Sequence, residues 1–295
     1  MAASRYHMRS QTLTKATANS KVKGTIHEGQ PRGREEMVHG LNTYVVGNRR
    51  DPRAIVVMYS DVFGLLLPNN KLIADAYAKS GEYLVYLPDF FKGDPAPLKV
   101  ADVMIPVDAS KQSTFAKYTG LLASMPTFLA WMARHKHAPT DRVCVEFLQK
   151  LRRDTPRGRK IGMVGFCWGG RYAVRAGRAS SAVEVGGERV PLVDAVVALH
   201  PSNMVIPADI EALAVPTSFG WGVEDSVVSF DQKAKVEETH AKFAAAGGKV
   251  LVTEHKTYKP GRHGFGVRGN PDDPAERACL EGTEKQVLDW FQRWL

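Results

Sequence analysis

Cysteine is scarce in this 295-residue chain: Cys144, Cys167 and Cys279 are the three, an odd number at wide spacing. That excludes a disulfide framework and a Cys-x-x-Cys metal site, and it fits a reducing compartment. No apolar run reaches membrane-spanning length, so the chain reads as a soluble protein with no membrane partner. Acidic residues are missing before Glu28, whereas Arg5, Arg9 and Lys15 are basic. This opening has no apolar core of the secretory kind. Residues 1–23 therefore read as a flexible tail in a cytoplasmic protein, with a mitochondrial presequence as the alternative. Internal repeats and low-complexity segments are absent as well.

Lys and Arg outnumber Asp and Glu by 40 to 31. The basic residues are scattered rather than clustered with aromatics, which makes the surplus a solvated surface and not a nucleic-acid footprint. With 44% hydrophobic residues the chain can bury a large core, and residues 24–295 read as one domain.

Strand and helix patterns alternate through most of that span. Gly24–His27 and Leu41–Val46 are expected as two short strands joined by a polar loop with Pro31 and Gly33. Ala54–Tyr59 is a continuous apolar run of the kind found in a strand covered on both faces. A helix over Leu72–Lys79, a strand over Tyr83–Leu87 and a Gly- and Pro-marked excursion from Pro88 to Ser113 follow, the excursion being a natural lid or pocket wall. Helices are expected over Tyr118–His135 and Asp141–Arg152. Beyond them come strands Lys160–Phe166, Val193–Leu199, Thr217–Trp221 and Lys249–Glu254, and helices Asp231–Ala246 and Pro274–Trp294. Such alternation predicts an α/β fold with a mostly parallel central sheet, helices on both faces, and a ligand site at the carboxyl ends of the strands.

One stretch organises the rest. Lys160–Gly165 is an apolar strand, Phe166-Cys167-Trp168 follows, and Gly169-Gly170 opens a helix, giving Gly-x-Cys-x-Gly. A strand that turns at once into a helix crowds its turn residue, so the flanking positions must lack side chains. Cys167 is then either a packed thiol in a tight connection or a nucleophile lifted above the sheet beside a helix N-terminus. Asp225 and His263 bear on the choice. Alone, the first could cap a helix and the second could sit in a glycine-rich turn. Together with Cys167 they run in the order nucleophile, acid, histidine, each after a predicted strand, the chain order of α/β-hydrolases. His263 would take the thiol proton and Asp225 would fix the imidazole tautomer.

Asp61-Val62-Phe63-Gly64, Pro88-Asp89-Phe90-Phe91, Gly165-Phe166-Cys167-Trp168-Gly169-Gly170, Gly222–Asp225 and His263-Gly264-Phe265 together resemble the dienelactone hydrolase family. The resemblance implies the α/β-hydrolase fold and a Cys167-His263-Asp225 triad, with no metal and no cofactor. The substrates implied are small esters or enol-lactones, cleaved through an acyl-enzyme. It implies an oxyanion hole of the Trp168 and Val62 amides, and it places Asp61 where bacterial members pair a glutamate with the resting thiol. It also suggests Arg268 for a substrate carboxylate, while Phe90, Phe91, Lys92 and Trp221 are expected as pocket walls. His200, at the same sheet edge, receives no role. The protein would act as a monomer or homodimer. A lyase, isomerase or cyclase on the same scaffold, or a non-catalytic binding scaffold, stays open at this level.

Overall fold

The computed structural model describes residue 27 and residues 29–98, 114–247 and 251–295. Within them the sheet begins with a hairpin, β1 (Arg34–Val38) antiparallel to β2 (Leu41–Gly47). The two-residue turn His39-Gly40 takes positive φ at both positions, the mirror-image turn that matches the twist of paired strands. β1 lies in the stretch expected to be a polar loop, and of the strand expected at Gly24–His27 only His27 falls within the described residues. The reason is visible in its sequence, Arg-Glu-Glu-Met-Val. An edge strand with one neighbour needs no apolar face, and its charges are tied outward, Glu35 to Lys71 at 2.6 Å and Glu36 to Arg49 at 3.0 Å.

β3 (Ala54–Tyr59) is buried at all six positions. A short 3-10 turn over Gly64–Leu66 leads into α1 (Pro68–Ala78), which begins with proline in its first turn, where the missing N–H costs nothing. β4 (Tyr83–Pro88), α2 (Thr114–Arg134) and α3 (His137–Asp154) follow. Of the excursion expected between Pro88 and Ser113, residues 99–113 lie outside the described residues. β5 (Lys160–Phe166) and α4 (Trp168–Ala176) form the strand–turn–helix unit. A hairpin of β6 (Ala182–Val185) and β7 (Glu188–Pro191) turns on Gly186-Gly187 and stands apart as a two-stranded sheet. β8 (Ala195–Leu199), α5 (Ala208–Glu211), β9 (Thr217–Gly222), α6 (Asp231–Ala245), β10 (Thr253–Tyr258) and α7 (Pro274–Trp294) complete the chain.

The main sheet has eight strands in the order β1-β2-β4-β3-β5-β8-β9-β10, parallel from β4 to β10. This is the α/β-hydrolase arrangement. β10 corrects the expected strand at Lys249–Glu254 by about one turn of sequence: the apolar run that ends at Val252 attracts the eye, but the ladder to β9 starts at Thr253 opposite Thr217. As the far edge strand, β10 is half-exposed and polar. Parallel register brings the carboxyl ends of β3, β5, β8, β9 and β10 to one rim, and the loops beginning at Ser60, Cys167, His200, Val223 and Lys259 meet there.

Candidate active site

The elbow is fixed from both sides. Cys167 holds φ 48° and ψ −111°, a conformation costing on the order of 1–3 kcal/mol for a residue with a side chain. Surrounding bonds over-determine it. Its N–H is shared between the Leu199 carbonyl and Nδ1 of His200, each at 3.1 Å, and its carbonyl accepts from the amides of Gly170 and Ser202, each at 3.0 Å. The Gly169 amide donates to the Ser60 carbonyl at 3.1 Å, locking α4 to the end of β3. A Cβ on Gly165 would strike the Gly169 carbonyl, and one on Gly169 would strike the carbonyls of Tyr59 and Ser60. Both glycines are therefore required by close backbone approach.

Cys167, His263 and Asp225 converge. Nε2 of His263 lies 3.0 Å from Sγ of Cys167, and its Nδ1 lies 2.9 Å from each carboxylate oxygen of Asp225. Asp225 Oδ1 also accepts from the amides of Val227 and Val228 at 2.8 and 2.7 Å. The two loops brace each other through Val223 N–H to the Tyr258 carbonyl and Glu224 N–H to the Pro260 carbonyl. All three side chains are buried. Burial alone would strip the charge from His263, but the adjoining sulfur and the Asp225 carboxylate outweigh it and hold the imidazole up at about 10. Burial likewise opposes the Asp225 charge, and the bond from His263 overcomes it, leaving the carboxyl below its usual range. The arrangement stores a proton on the histidine beside the sulfur, as a nucleophile needs.

Asp61 is buried close by, with its Oδ1 accepting from Asn70 Nδ2 at 3.0 Å and from the Phe63 amide at 3.2 Å. Burial raises its pKa against those bonds and the nearby Arg268 charge. Among the described residues no hydrogen bond joins Asp61 to Sγ. Arg268 is buried too, its guanidinium 5.3 Å from the centre of the Phe63 ring. The amides of Trp168 and Val62 meet no acceptor among the described residues, while the Val62 carbonyl accepts from Ala96.

The expected pocket walls divide. Phe90 and Phe91 are buried, Phe90 against Tyr59 and Tyr172, Phe91 against Trp131 and His135. They back a layer that ends on Trp168, whose indole meets Trp131 edge-on at 5.2 Å and stacks on His137 at 4.8 Å. Trp131 and His137 belong to this wall and carry no motif that marks them in the sequence. Trp131 is anchored by its Nε1 donating to the Asp94 carbonyl at 2.8 Å. Lys92 is exposed, with φ 56° in a turn. Trp221 points away from Cys167: it stacks on Phe219 and donates to Nδ1 of His255, in a separate core cluster that includes Val236 of α6. His200 and Ser202 both touch Cys167, and no sequence motif marks either for that contact.

Among the described residues no group of three or more His, Cys, Asp or Glu could hold a metal ion, and no helix is long and apolar enough to cross a membrane. A pocket partly open to solvent lies between α1 and α7, lined by His27, Tyr77, Gly266, Arg277 and Leu280 among others, and none of the three converging residues borders it.

The profile of the dienelactone hydrolase family matches residues 41–295. The chain is 27% identical to "Hydrolase pyvD" of Aspergillus violaceofuscus, over 93% of this chain and 95% of that one. It is 26% identical to "Dienlactone hydrolase 1" of Gibberella moniliformis, over 93% and 92%. It is 25% identical to the mouse "Carboxymethylenebutenolidase homolog", over 89% and 91%. Among solved structures, a putative dienelactone hydrolase from Klebsiella pneumoniae superimposes with a TM-score of 0.57 at 17% identity, over 86% of this chain and 93% of that one. A dienelactone hydrolase from Anabaena variabilis gives 0.52 at 15% identity, over 90% and 98%. The chain belongs to the dienelactone hydrolase family of carboxylic ester hydrolases.

Proposed function

We propose that the protein hydrolyses small esters or enol-lactones through an acyl-enzyme on Cys167. The observation that carries this reading is the line from Asp225 through both nitrogens of His263 to Sγ, with contacts of 2.9 and 3.0 Å. A sulfur lone pair adds to the substrate carbonyl carbon, and the carbonyl oxygen gains the charge. The amides of Trp168 and Val62 receive that oxyanion, Trp168 lying at the N-terminus of α4 where the helix dipole favours negative charge. The carbon–oxygen bond to the leaving group then breaks, and His263 supplies its proton from Nε2. Water enters, gives a proton back to His263, and its hydroxide attacks the thioester. The acid leaves and the sulfur is regenerated.

Sulfur itself narrows the substrate. A tetrahedral adduct on cysteine readily expels thiolate again, so productive turnover favours good leaving groups, and an enolate is one. The names of the fungal and mouse relatives point the same way. Arg268, buried over Phe63 beside Asp61, is the candidate to hold a carboxylate on an acidic substrate.

The test is intact and peptide mass spectrometry during turnover of para-nitrophenyl acetate. One acetyl group on the Cys167 peptide is expected in the wild type and none in Cys167→Ala. Turnover of a lactone or ester with no acyl group ever trapped on Cys167 would overturn the reading.

A further inference from the structure

The segment that follows β8, His200-Pro201-Ser202-Asn203, is held in a costly shape. His200 and Asn203 both carry positive φ, 38° and 60°, although neither is glycine. Such strain persists where surrounding structure requires it. Here each part of the segment is turned toward Cys167. His200 Nδ1 accepts the Cys167 amide, and the Ser202 amide donates to the Cys167 carbonyl. Pro201 seats against Gly170, where a Cβ would come within 2.8 Å of its ring. Ser202 is 5% exposed, and its hydroxyl oxygen lies 3.7 Å from Sγ, within reach of a hydrogen bond to sulfur.

The direction of that bond follows from its neighbours. Nδ2 of Asn203 donates to Ser202 Oγ at 2.9 Å, which leaves the serine proton to be given elsewhere. Once the proton of Cys167 resides on His263, the sulfur can only accept. Asp61, in the place where a thiol-pairing carboxylate is expected, is bonded to Asn70 and the Phe63 amide instead. We propose that Ser202, oriented by Asn203, is a catalytic residue that donates its hydroxyl proton in a hydrogen bond to the Cys167 thiolate, supplying the polar contact at the sulfur that Asp61 does not make. The inference rests on Cys167 being the nucleophile. It adds that the anion has two donors, His263 from one side and Ser202 from the other.

The ionisable groups around the sulfur are His263 with Asp225 behind it, His200 on the same segment as Ser202, and Asp61 and Arg268, whose charges act on His263 and His200. His200 stays neutral, its pKa pushed down to about 3 chiefly by burial and next by His263. Removing Ser202 therefore changes no charge, only one donor to the anion.

The test is the pH dependence of iodoacetamide alkylation at Cys167, followed by peptide mass spectrometry in the full chain. A hydrogen bond to a charged group is worth enough to displace a titration by roughly one pH unit. Ser202→Ala is expected to move the acid limb of the profile upward by about one unit, and Ser202→Thr, which keeps a hydroxyl, is expected to restore it. A purely structural role would lower the melting temperature without displacing the limb. Should Ser202→Ala not accumulate as folded protein, Asn203→Gly accommodates the positive φ but frees the serine hydroxyl, and an upward displacement is again expected. An acid limb superimposable on the wild type in the folded variant overturns the proposal while leaving Cys167 as the nucleophile. Wild-type Cys167 labelling no faster than Cys144 and Cys279 overturns the nucleophile reading itself, and Ser202 with it.

Discussion

Nδ1 of His263 sits at the same distance, 2.9 Å, from both carboxylate oxygens of Asp225, although the two residues come from loops after different strands. Parallel pairing of β9 with β10 makes this possible, because residue-for-residue register from Thr217 opposite Thr253 to Gly222 opposite Tyr258 ends both strands at one level. The carboxylate then sets which imidazole nitrogen carries the fixed proton, and so which one addresses the sulfur.

Replacing that carboxylate tests the relationship. Asp225→Asn keeps an oxygen for the amides of Val227 and Val228 but removes the charge that holds His263 in its tautomer. Catalytic efficiency on para-nitrophenyl acetate is expected to fall by on the order of 10³-fold, mostly in kcat. The melting temperature should change far less than the rate. A variant with wild-type kcat would show that Asp225 only secures the turn at Val227 and Val228.

The same region shows what the sequence could and could not disclose. Strand β5 and its elbow are legible because a central parallel strand must be apolar on both faces and its turn must be glycine-flanked; both demands leave residue types behind. Asp225 and His263 are legible by chain order. β1 and β10 are not, since edge strands are held by main-chain ladders and tolerate polar side chains. The β6–β7 hairpin was available in principle from Gly186-Gly187 between Val-Glu-Val and Glu-Arg-Val. Trp221 was misleading for a reason of parity: it lies two residues from Phe219, so both project to the same face of β9 and pack with Val236 of α6, whatever the strand's end points toward. The contacts of Ser202 and His200 with Cys167 depend on three positive φ values, and backbone strain writes no letter in a sequence.

Gly169 makes the packing side of the elbow testable. A methyl group there would meet the carbonyls of Tyr59 and Ser60, which are backbone and cannot swing aside. Gly169→Ala is expected to destabilise the fold by about 1–3 kcal/mol or more through overpacking. It should also remove the Gly169 amide from the Ser60 carbonyl and with it the alignment of Val62 and Trp168. Chemical denaturation and esterase rate should fall together. Gly186→Ala, in the outlying hairpin, should cost stability without changing the rate.

Trp131 supplies the wall behind Trp168. It is fully buried, meets the Trp168 indole edge-on and donates to the Asp94 carbonyl. Trp131→Ala is expected to cost about 3–5 kcal/mol by the cavity it leaves. Trp131→Phe keeps an aromatic ring while losing the Nε1 donor and part of the indole's volume, a milder change than alanine, so it is the variant for kinetics. An increase in KM with kcat nearly unchanged is expected if the wall shapes binding, and unaltered KM would place Trp131 in the core alone.

His255 governs a pH dependence far from the chemistry. It lies between Trp221, whose Nε1 donates to its Nδ1 at 3.0 Å, and the ring of Phe219, stacked at 5.2 Å; burial pushes its pKa down to about 4 from an ordinary 6.5. Its sign is that of a group kept neutral by folding. Above pH 6.5 neither the folded nor the unfolded chain holds the proton, and the stabilisation is fully present. As pH falls from 6.5 to about 4 the unfolded chain takes up a proton that the folded chain refuses, so stability declines through that window and levels below it. His255→Gln offers Trp221 an acceptor that does not titrate. Melting temperatures measured from pH 7 down to pH 4 should fall less steeply in His255→Gln than in the wild type, because one proton uptake is removed, and should still fall, because His200 and His27, also held down by burial, remain in both. Equal slopes would mean that His255 is solvated enough to protonate in the folded state.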